Sequence, residues 1–397
     1  MNNFTPVTIL NSSVHSSVAI ARSLGRLGIP VYCVASDPKD PSSYSRYYKQ
    51  KFVWSGETQE AIKGLLNIGE KIGKQSILMP TSDEDVLLLC DHADQLEKYF
   101  IFPHLSAKLV RDLASKKDMY YLAKNNDVPT AEAAFPQSRR ELLEYLDYAK
   151  FPIMVKGIYG NLLKHACGKK MFIAKSTEEV LQLYDQYENP NSPNIMLQEY
   201  IPGREDSIWM YNGYFNEKSE CLFKVTAKKI RQAPPYTGAT SLGVCLRNDE
   251  VAYLTEDFMK KIGYTGVLDI GYRYDKRDGK YKVLDINPRI GCTFRLFVGE
   301  AGLDVVRAQY LDLTGQKVPC DQIVEGRKWF VENWDFASSV GYIRDKNLTF
   351  KQWINSYRGV KEVAWFAFDD INPFARMSID FGKKMVTRLT QKLATRI

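Results

Sequence analysis

The segment TGVLDIGYRYDKRDGKYKVLDINPRIG, residues 265–291, restricts the fold of this chain more than any other. It consists of two runs in which apolar and polar residues alternate, and the turn sequence RDG at residues 277–279 separates them. Successive side chains of a strand point to opposite faces, so the alternation predicts a β-hairpin with one buried and one polar face. Pro288 cannot donate a hydrogen bond to a β-ladder, so the second strand should end there, with Arg289 directly after its end.

The polar face of this hairpin should hold Asp269 from the first strand and Asp285 and Asn287 from the second. Three oxygen ligands on one face suit Mg²⁺, a hard cation that uses few protein carboxylates together with substrate phosphates. The alternative is a hairpin whose acidic side chains are simply solvated. The hairpin therefore predicts a magnesium site, with a solvated face as the competing interpretation.

The register of the hairpin depends on its loop. A three-residue loop with Gly279 in the left-handed conformation would place Lys276 opposite Lys280, and Asp269 would then lie opposite Asn287. A two-residue Asp-Gly turn would put Asp269 on the wrong face. We therefore predict the three-residue loop.

The N-terminal segment predicts a βαβ unit of a parallel sheet. An apolar strand and a Ser-rich turn are followed by a helix from about Ser16 to Leu27 and a strand from Val31 to Val34. A further strand, SILMP at residues 76–80, leads into TSDEDV, which can cap the next helix. Open α/β sheets bind ligands where strand ends feed helix N-termini, so a ligand is expected at this edge.

The turn after the first strand is a candidate substrate site. A carboxylate could meet backbone N–H groups there, and Ser12 is the candidate side chain. His15 lies in the same turn, where we expect a solvated residue rather than a ligand.

Composition excludes several classes of protein. A chain of 397 residues is too long for one ordinary core and predicts two or three domains. Its seven cysteines form no C-x-x-C pair and its four histidines lack metal-ligand spacing, which argues against a disulfide framework and a zinc site. No signal peptide or membrane span is evident, so a cytoplasmic protein is expected. The net charge of +7 comes without a basic-aromatic patch, so we predict no nucleic-acid partner.

Two lysines and one hinge-like segment lie between these regions. Lys156 ends the strand FPIMVK and precedes a loop with three glycines, where a lysine can hold phosphate oxygens as a point charge. Lys116 precedes a predicted helix, 116–125, and could be a second such charge, although Lys117 is also compatible with the spacing. The segment IMLQEYIPGREDS, residues 195–207, combines a strand, a Pro-Gly turn and acidic residues that could meet an adenine edge and ribose hydroxyls.

The order of these motifs resembles the ATP-grasp superfamily from Lys116 to about Leu296. The similarity is greatest to its predicted carboxylate-amine ligases, the group that includes D-aspartate ligase. The resemblance implies an α/β fold in which a Rossmann-like parallel-sheet domain precedes two α+β lobes. The expected divisions are residues 1–112 for the Rossmann-like domain, 113–330 for the ATP-grasp domain, and 331–397 for a C-terminal extension with a basic amphipathic end.

The resemblance also implies ATP and Mg²⁺ as cofactors and assigns residue roles. The phosphate-binding lysines would be Lys116 and Lys156. The nucleoside would be held by Gln198, Glu199 and Ile201 at the adenine and by Glu205 at the ribose. The magnesium ligands would be Asp269, Asp285 and Asn287. Arg289 would face the reacting carboxyl phosphate, and Lys156 and Arg289 would be the catalytic residues.

The implied activity is a ligase that forms an amide from small-molecule carboxylate and amine substrates through an acyl phosphate. A protein that binds ATP without chemistry is the alternative. A dehydrogenase is disfavoured because the turn NSSVHSS, residues 11–17, lacks the G-x-G-x-x-G pattern.

Two basic segments allow more than one interpretation. Lys229 and Arg231, before a Pro-Pro turn, are either surface charges or ligands of the triphosphate or of a substrate carboxylate, which a bidentate arginine suits. The C-terminal stretch after residue 370 has apolar residues at four-residue spacing among basic ones. We expect it to pack on the protein body or on a second subunit of a homodimer, with contact to an anionic membrane surface as the alternative.

Overall fold

The computed structural model describes residues 4–11, 14–54 and 58–394. Its strands form three sheets, and each sheet belongs to a different part of the chain. The sheets surround one large cleft, and the ends of their strands supply most of its polar side chains.

The first sheet is parallel, with the strand order β3-β2-β1-β4-β5. Its strands are β1 (Val7–Asn11), β2 (Val31–Ala35), β3 (Tyr48–Val53), β4 (Ser76–Met79) and β5 (Phe100–Ile101). The accompanying helices are α1 (His15–Gly25), α2 (Thr58–Ile72), α3 (Asp83–Asp91) and α4 (Ala93–Leu96). The predicted βαβ unit and Rossmann-like domain are confirmed. The order of the strands in the sheet reverses between β1 and β4. Such a switch point favours a ligand crevice at the carboxyl ends of these two strands.

Two helices, α5 (Ala107–Ala114) and α6 (Lys116–Asn125), lead into a small lobe. Its antiparallel sheet has the order β6-β9-β7-β8. The strands are β6 (Ala133–Ala134), β7 (Ile153–Gly157), β8 (Met171–Ala174) and β9 (Ile195–Glu199), and the helices are α7 (Arg139–Leu146), α8 (Gly160–Cys167) and α9 (Thr177–Tyr187). The glycine-bearing loop predicted after Lys156 therefore contains a two-turn helix, α8, which ends at Gly168 in the left-handed conformation (φ +75°).

The third sheet has seven strands in the order β14-β13-β10-β11-β12-β15-β16, antiparallel except for the last pair. They are β10 (Ile208–Phe215), β11 (Cys221–Ala233), β12 (Ala239–Cys245), β13 (Gly266–Asp275), β14 (Lys280–Asn287), β15 (Lys328–Phe330) and β16 (Val360–Val363). The helices of this part are α10 (Asp249–Lys261), α11 (Val305–Leu313), α12 (Glu332–Arg344), α13 (Phe350–Ser356) and α14 (Asn372–Ala394).

The C-terminal extension completes this third sheet. β16, which lies beyond residue 330, pairs with β15, and helix α12 packs against β11 and β12. Helix α14 contacts residues 41–44 of the first domain, and its Met377 is buried. The first turns of α14 therefore pack on the protein body, as the preferred interpretation of this stretch predicts. No helix among the residues that the structure describes is long and apolar enough to cross a membrane.

Helix starts follow from local sequence. Among the residues that the structure describes, five helices begin after a serine whose hydroxyl accepts a hydrogen bond from a backbone amide three residues on, which satisfies one of the free donors of the first turn. These capping residues are Ser82, Ser106, Ser115, Ser138 and Ser176. Ser115 matters most for the site, because its cap fixes the start of α6 at Lys116. The predicted helix, residues 116–125, is confirmed.

The largest hydrophobic core joins the first domain to the seven-stranded sheet, and separate cores lie in the small lobe and under the outer face of the first sheet. The first domain and the large sheet thus share one interior. The small lobe has its own core, so it can move as a unit against the rest.

Candidate active site

The polar face of the β13–β14 hairpin brings Asp269, Asp285 and Asn287 together. Asp269 lies opposite Asn287, and Gly271 lies opposite Asp285, so all three oxygen-bearing side chains share one face. The predicted pairing of Asp269 with Asn287 is confirmed.

The loop that produces this register differs from the prediction. Asp275, and not Lys276, lies opposite Lys280, so the loop has four residues. A register shift beside Gly271 leaves Leu284 as the extra residue of a β-bulge, and the bulge restores the alignment that a three-residue loop would have given. Gly279 has the expected left-handed conformation (φ +72°).

The bulge also changes which apolar residues are buried. Val283 and Ile286 pack in the core, whereas Leu284, which strict alternation would place on the same face as Ile286, lines the cleft instead. The alternation of apolar and polar residues does not reveal a bulge. The extra residue exchanges the two faces of the strand only for the residues beyond the bulge.

The two carboxylates differ in their electrostatic environment. Burial raises the pKa of Asp269 to about 6, although Arg289 opposes the shift. Desolvation inside the cleft would also raise the pKa of Asp285, but the Lys116 ammonium, 3.3 Å from its Oδ1, holds that pKa below its ordinary value. The Asn287 amide donates to Asp285 Oδ2 at 3.4 Å and so orients the pair.

These side chains fit a magnesium ion better than a metal held by protein ligands alone. Among the described residues, no group of three His, Cys, Asp or Glu side chains converges on a metal position. Two carboxylates and one amide oxygen beside a cationic cleft are the donor set for Mg²⁺, which keeps waters and takes phosphate oxygens as its other ligands. Gly291 permits the close approach of the following loop, since a Cβ there would lie 2.2 Å from Asp269 Oδ2.

Arg289 emerges from the end of β14 and crosses to the first domain. Its Nε donates to Asp83 Oδ1 at 2.5 Å, and its Nη2 donates to Asn287 Oδ1 at 3.3 Å. Asp83 is the first residue of α3, so the carboxyl end of β4 contributes directly to this site. The sequence identified Asp83 only as part of a helix cap.

The predicted phosphate-binding lysines lie opposite the hairpin. Lys116 lines the cleft and approaches Asp285, whereas Lys117 is not among the lining residues, which favours Lys116 between the two. Lys156 is buried on β7, and its Nζ donates to Gln198 Oε1 at 2.6 Å. Burial and the neighbouring Lys116 charge lower the pKa of Lys156 to about 8.

The hinge residues line the cleft, but two of their side chains are engaged elsewhere. Gln198 is bound to Lys156, and the Glu199 carboxylate forms ion pairs with Arg277 (2.6 Å) and Lys282 (3.6 Å). These two side chains therefore shape the pocket indirectly. Ile201 is buried beside them and offers an apolar surface.

Glu205 lies at the far end of the hinge, in a short 3-10 helix. Its carboxylate accepts a hydrogen bond of 2.8 Å from Tyr342 of the C-terminal extension. Arg273, which shares a strand face with Asp269, lies nearby and donates to Gly203 O at 2.5 Å. The alternation of β13 could have identified Arg273, since it is four residues after Asp269.

The three tentative substrate residues have different outcomes. Lys229 lines the cleft, donates to Gly238 O at 3.2 Å, and has a pKa lowered by burial. Arg231 forms a buried ion pair with Asp335, at 2.9 and 2.6 Å, and also donates to Ser356, so we assign it a structural role instead of substrate binding. Ser12 lies outside the described residues.

His15 is not the solvated turn residue that the sequence led us to expect. It is buried, and its ring packs within 5.0–5.8 Å of the Trp329, Trp334 and Trp365 rings. Burial lowers its pKa to about 4, so it is neutral at physiological pH. The indole rings come from parts of the chain more than 300 residues away, which no local pattern could indicate.

The candidate residues that the structure describes line one cleft of about 2420 Å³. Pockets for a single small ligand have volumes of about 300–1,000 Å³. The cleft therefore has room for a nucleotide together with further substrates.

Comparisons with known proteins agree with this geometry. The chain is 24% identical over 316 residues to D-aspartate ligase from Enterococcus faecium, covering 76% of this chain and 75% of the relative. The biotin carboxylase domain dimer of Hydrogenobacter thermophilus 2-oxoglutarate carboxylase, solved with MgADP, ADP and bicarbonate, superposes with a TM-score of 0.63 at 16% identity, over 82% of this chain and 73% of that one. This chain has an ATP-grasp fold.

A second solved structure, that of L-amino acid ligase from Bacillus licheniformis, superposes with a TM-score of 0.58 at 13% identity, over 81% of this chain and 76% of that one. No family model matches the chain. The predicted ATP-grasp fold and the similarity to the group that includes D-aspartate ligase are confirmed. In this ATP-grasp fold, the cleft between the small lobe and the seven-stranded sheet is the candidate nucleotide site.

Proposed function

We propose that this protein is an ATP- and Mg²⁺-dependent ligase that joins a carboxylate to an amine through an acyl phosphate. The observation that carries the proposal is that acidic and basic side chains face each other across one cleft. Oxygen ligands of the β13–β14 hairpin lie on one side, and Lys116 and Lys156 lie on the other. The relatives support it, since D-aspartate ligase and the L-amino acid ligase are both named as ligases.

The chemistry requires activation because a carboxylate is a poor electrophile. The substrate carboxylate oxygen attacks the γ-phosphorus of ATP, and the bond to ADP breaks. The amine then attacks the acyl carbon, phosphate leaves, and the amine loses a proton. Mg²⁺ would neutralise charge on the phosphate oxygens.

The protein supplies position and charge. Asp269, Asp285 and Asn287 would hold the magnesium ions on a rigid hairpin, and Lys156 would bind phosphate oxygens from the facing lobe. Arg289 would stabilise the charge that develops on the transferring group. Asp83 fixes the Arg289 guanidinium from the first domain, so the substrate carboxylate is expected between these two domains.

Turnover with a substrate panel tests this proposal. Mg-ATP is offered with carboxylates crossed with amines, and ADP plus phosphate is resolved from AMP plus pyrophosphate while products are identified by mass. ADP and phosphate that appear only with one pair, together with an amide product, support the ligase. AMP would contradict the acyl-phosphate route, and tight Mg-ATP binding without turnover across the panel would favour the non-catalytic ATP-binding alternative.

We further propose that the protein acts in the cytoplasm on small molecules. The thiols of Cys90, Cys167, Cys221, Cys245, Cys292 and Cys320 form no disulfide in the structure, which fits a reducing compartment. Homodimer formation and contact of α14 with an anionic membrane remain predictions. Truncation after Asp370 tests the membrane contact, which is refuted if the shortened protein still binds anionic vesicles.

A further inference from the structure

The C-terminal extension reaches the hinge end of the cleft through Tyr342. This side chain is only 4% exposed, and its hydroxyl donates to Glu205 Oε1 at 2.8 Å. The same hydroxyl accepts a hydrogen bond of 3.1 Å from the Tyr236 backbone N–H. Because its one proton goes to Glu205, the direction of this short chain of hydrogen bonds is fixed. In the part of the chain that the structure describes, Tyr342 is the one side chain that donates to the Glu205 carboxylate.

Helix α12 holds Tyr342 in place. Asp335, seven residues earlier and therefore on the same helix face, is buried and accepts hydrogen bonds from Arg231, Ser241 and Tyr357. A buried carboxylate with this many charge-assisted and neutral donors has a single orientation. The helix is thereby fixed to the strands that line the cleft, and Tyr342 has little freedom to move away from Glu205.

The loop 234–238 completes the contact. Tyr236 has a left-handed backbone (φ +68°), which is uncommon for a residue with a side chain and is maintained only by surrounding contacts. Its ring packs edge-on against Tyr342 at 4.8 Å, and its hydroxyl accepts from Asn347 at 2.8 Å. Gly341 lets the helix approach this loop, since a Cβ there would lie 2.9 Å from Pro235 Cγ. The loop and the extension thus form one wall.

We propose that the C-terminal extension is part of the nucleotide site and that Tyr342 is a positioning residue for Glu205. Its hydrogen bond occupies one carboxylate oxygen and leaves the other directed to the ribose hydroxyls. The extension therefore sets the discrimination between ribonucleotides and nucleotides that lack these hydroxyls. This inference rests on the proposed function, in which Glu205 binds the ribose.

Nucleotide binding to the full-length protein tests the inference without knowledge of the other substrates. Dissociation constants for MgADP and for Mg-2′,3′-dideoxy-ADP are measured by calorimetry for the wild type and for Tyr342→Phe. We expect Tyr342→Phe to weaken MgADP binding about 5- to 10-fold, the effect of one hydrogen bond of ordinary strength, and to leave binding of the dideoxy analogue unchanged. The wild type should prefer MgADP, and the variant should lose most of that preference.

The matched control is Tyr310→Phe. Tyr310 is also 4% exposed and donates its hydroxyl to a backbone oxygen, that of Thr5, outside the nucleotide cleft. It should change neither dissociation constant. Equal weakening of both nucleotides by Tyr342→Phe, or no weakening of either, would overturn the inference while leaving the nucleotide site intact. Failure of the wild type to bind MgADP would instead refute the proposed function, and the inference with it. Urea unfolding of each variant verifies that it is folded at the assay temperature.

Discussion

The lowered pKa of Lys156 predicts how nucleotide affinity depends on pH. Burial and the neighbouring Lys116 charge bring the pKa of this ammonium to about 8, so the group is charged at pH 7 and mostly neutral at pH 9. Only the charged form attracts phosphate oxygens, and the bound phosphates would raise its pKa again. The contribution of Lys156 to affinity should therefore be fully present at about pH 7 and should be lost as the pH rises through 8.

The magnitude follows from the titration of one group. Because a pKa difference of one unit corresponds to about 1.36 kcal/mol, the dissociation constant of MgADP should rise roughly tenfold between pH 7 and pH 9. Calorimetric titrations at half-unit steps measure it. Lys156→Arg should abolish the alkaline weakening, since a guanidinium stays charged throughout this range.

The control is Lys108→Arg, a substitution at an exposed lysine that pairs with Asp112 outside the cleft. It should retain the wild-type pH dependence. A wild-type dissociation constant that stays flat from pH 7 to pH 9 would show that Lys156 does not contact the phosphates. The same alkaline weakening in Lys156→Arg would assign the titration to another group.

Three further predictions concern the metal face and the fold. Asp285→Asn should remove most of the gain in ADP affinity that Mg²⁺ provides. It should shift the urea midpoint little, because the carboxylate is exposed to the cleft. Unfolding of this variant would show instead that Asp285 is structural. Gly291→Ala should also lose the Mg²⁺-dependent gain, because its Cβ must displace Asp269, and undiminished affinity would contradict that packing. Arg231→Met should lower the free energy of unfolding by about 3–5 kcal/mol, since it leaves the Asp335 carboxylate buried without its ion-pair partner. A loss below about 1 kcal/mol in urea titrations would contradict this prediction.

Local patterns predicted the elements whose determinants are close in sequence. Helix α6 has the predicted bounds, Lys116–Asn125, and the structure shows that a serine cap fixes its start. The opposition of Asp269 and Asn287 was correct, although a four-residue loop and a bulge at Leu284 produce it in place of a three-residue loop. The longer loop and the bulge offset each other, so the pairing of the two residues is unchanged. The alternation of apolar and polar residues therefore predicted the pairing, but it could not predict the loop length or the bulge.

Contacts between distant segments could not be predicted in this way. Arg289 and Asp83 are 206 residues apart, and Tyr342 and Glu205 are 137 apart. Each pair depends on how separate elements pack, and neither partner carries a local signal of the other. Arg231 shows the same limit, because a basic residue beside a Pro-Pro turn gives no sign that a buried aspartate from a later helix will neutralise it.

The ion pair between Arg289 and Asp83 limits how such proteins can be recombined. The first domain is more than an exchangeable module, because it supplies the carboxylate that orients the arginine at the end of β14. A chimera that receives a first domain from a relative would need an acidic residue at the start of the equivalent helix. Without it, the graft would leave this guanidinium free to turn toward the two aspartates of the metal face.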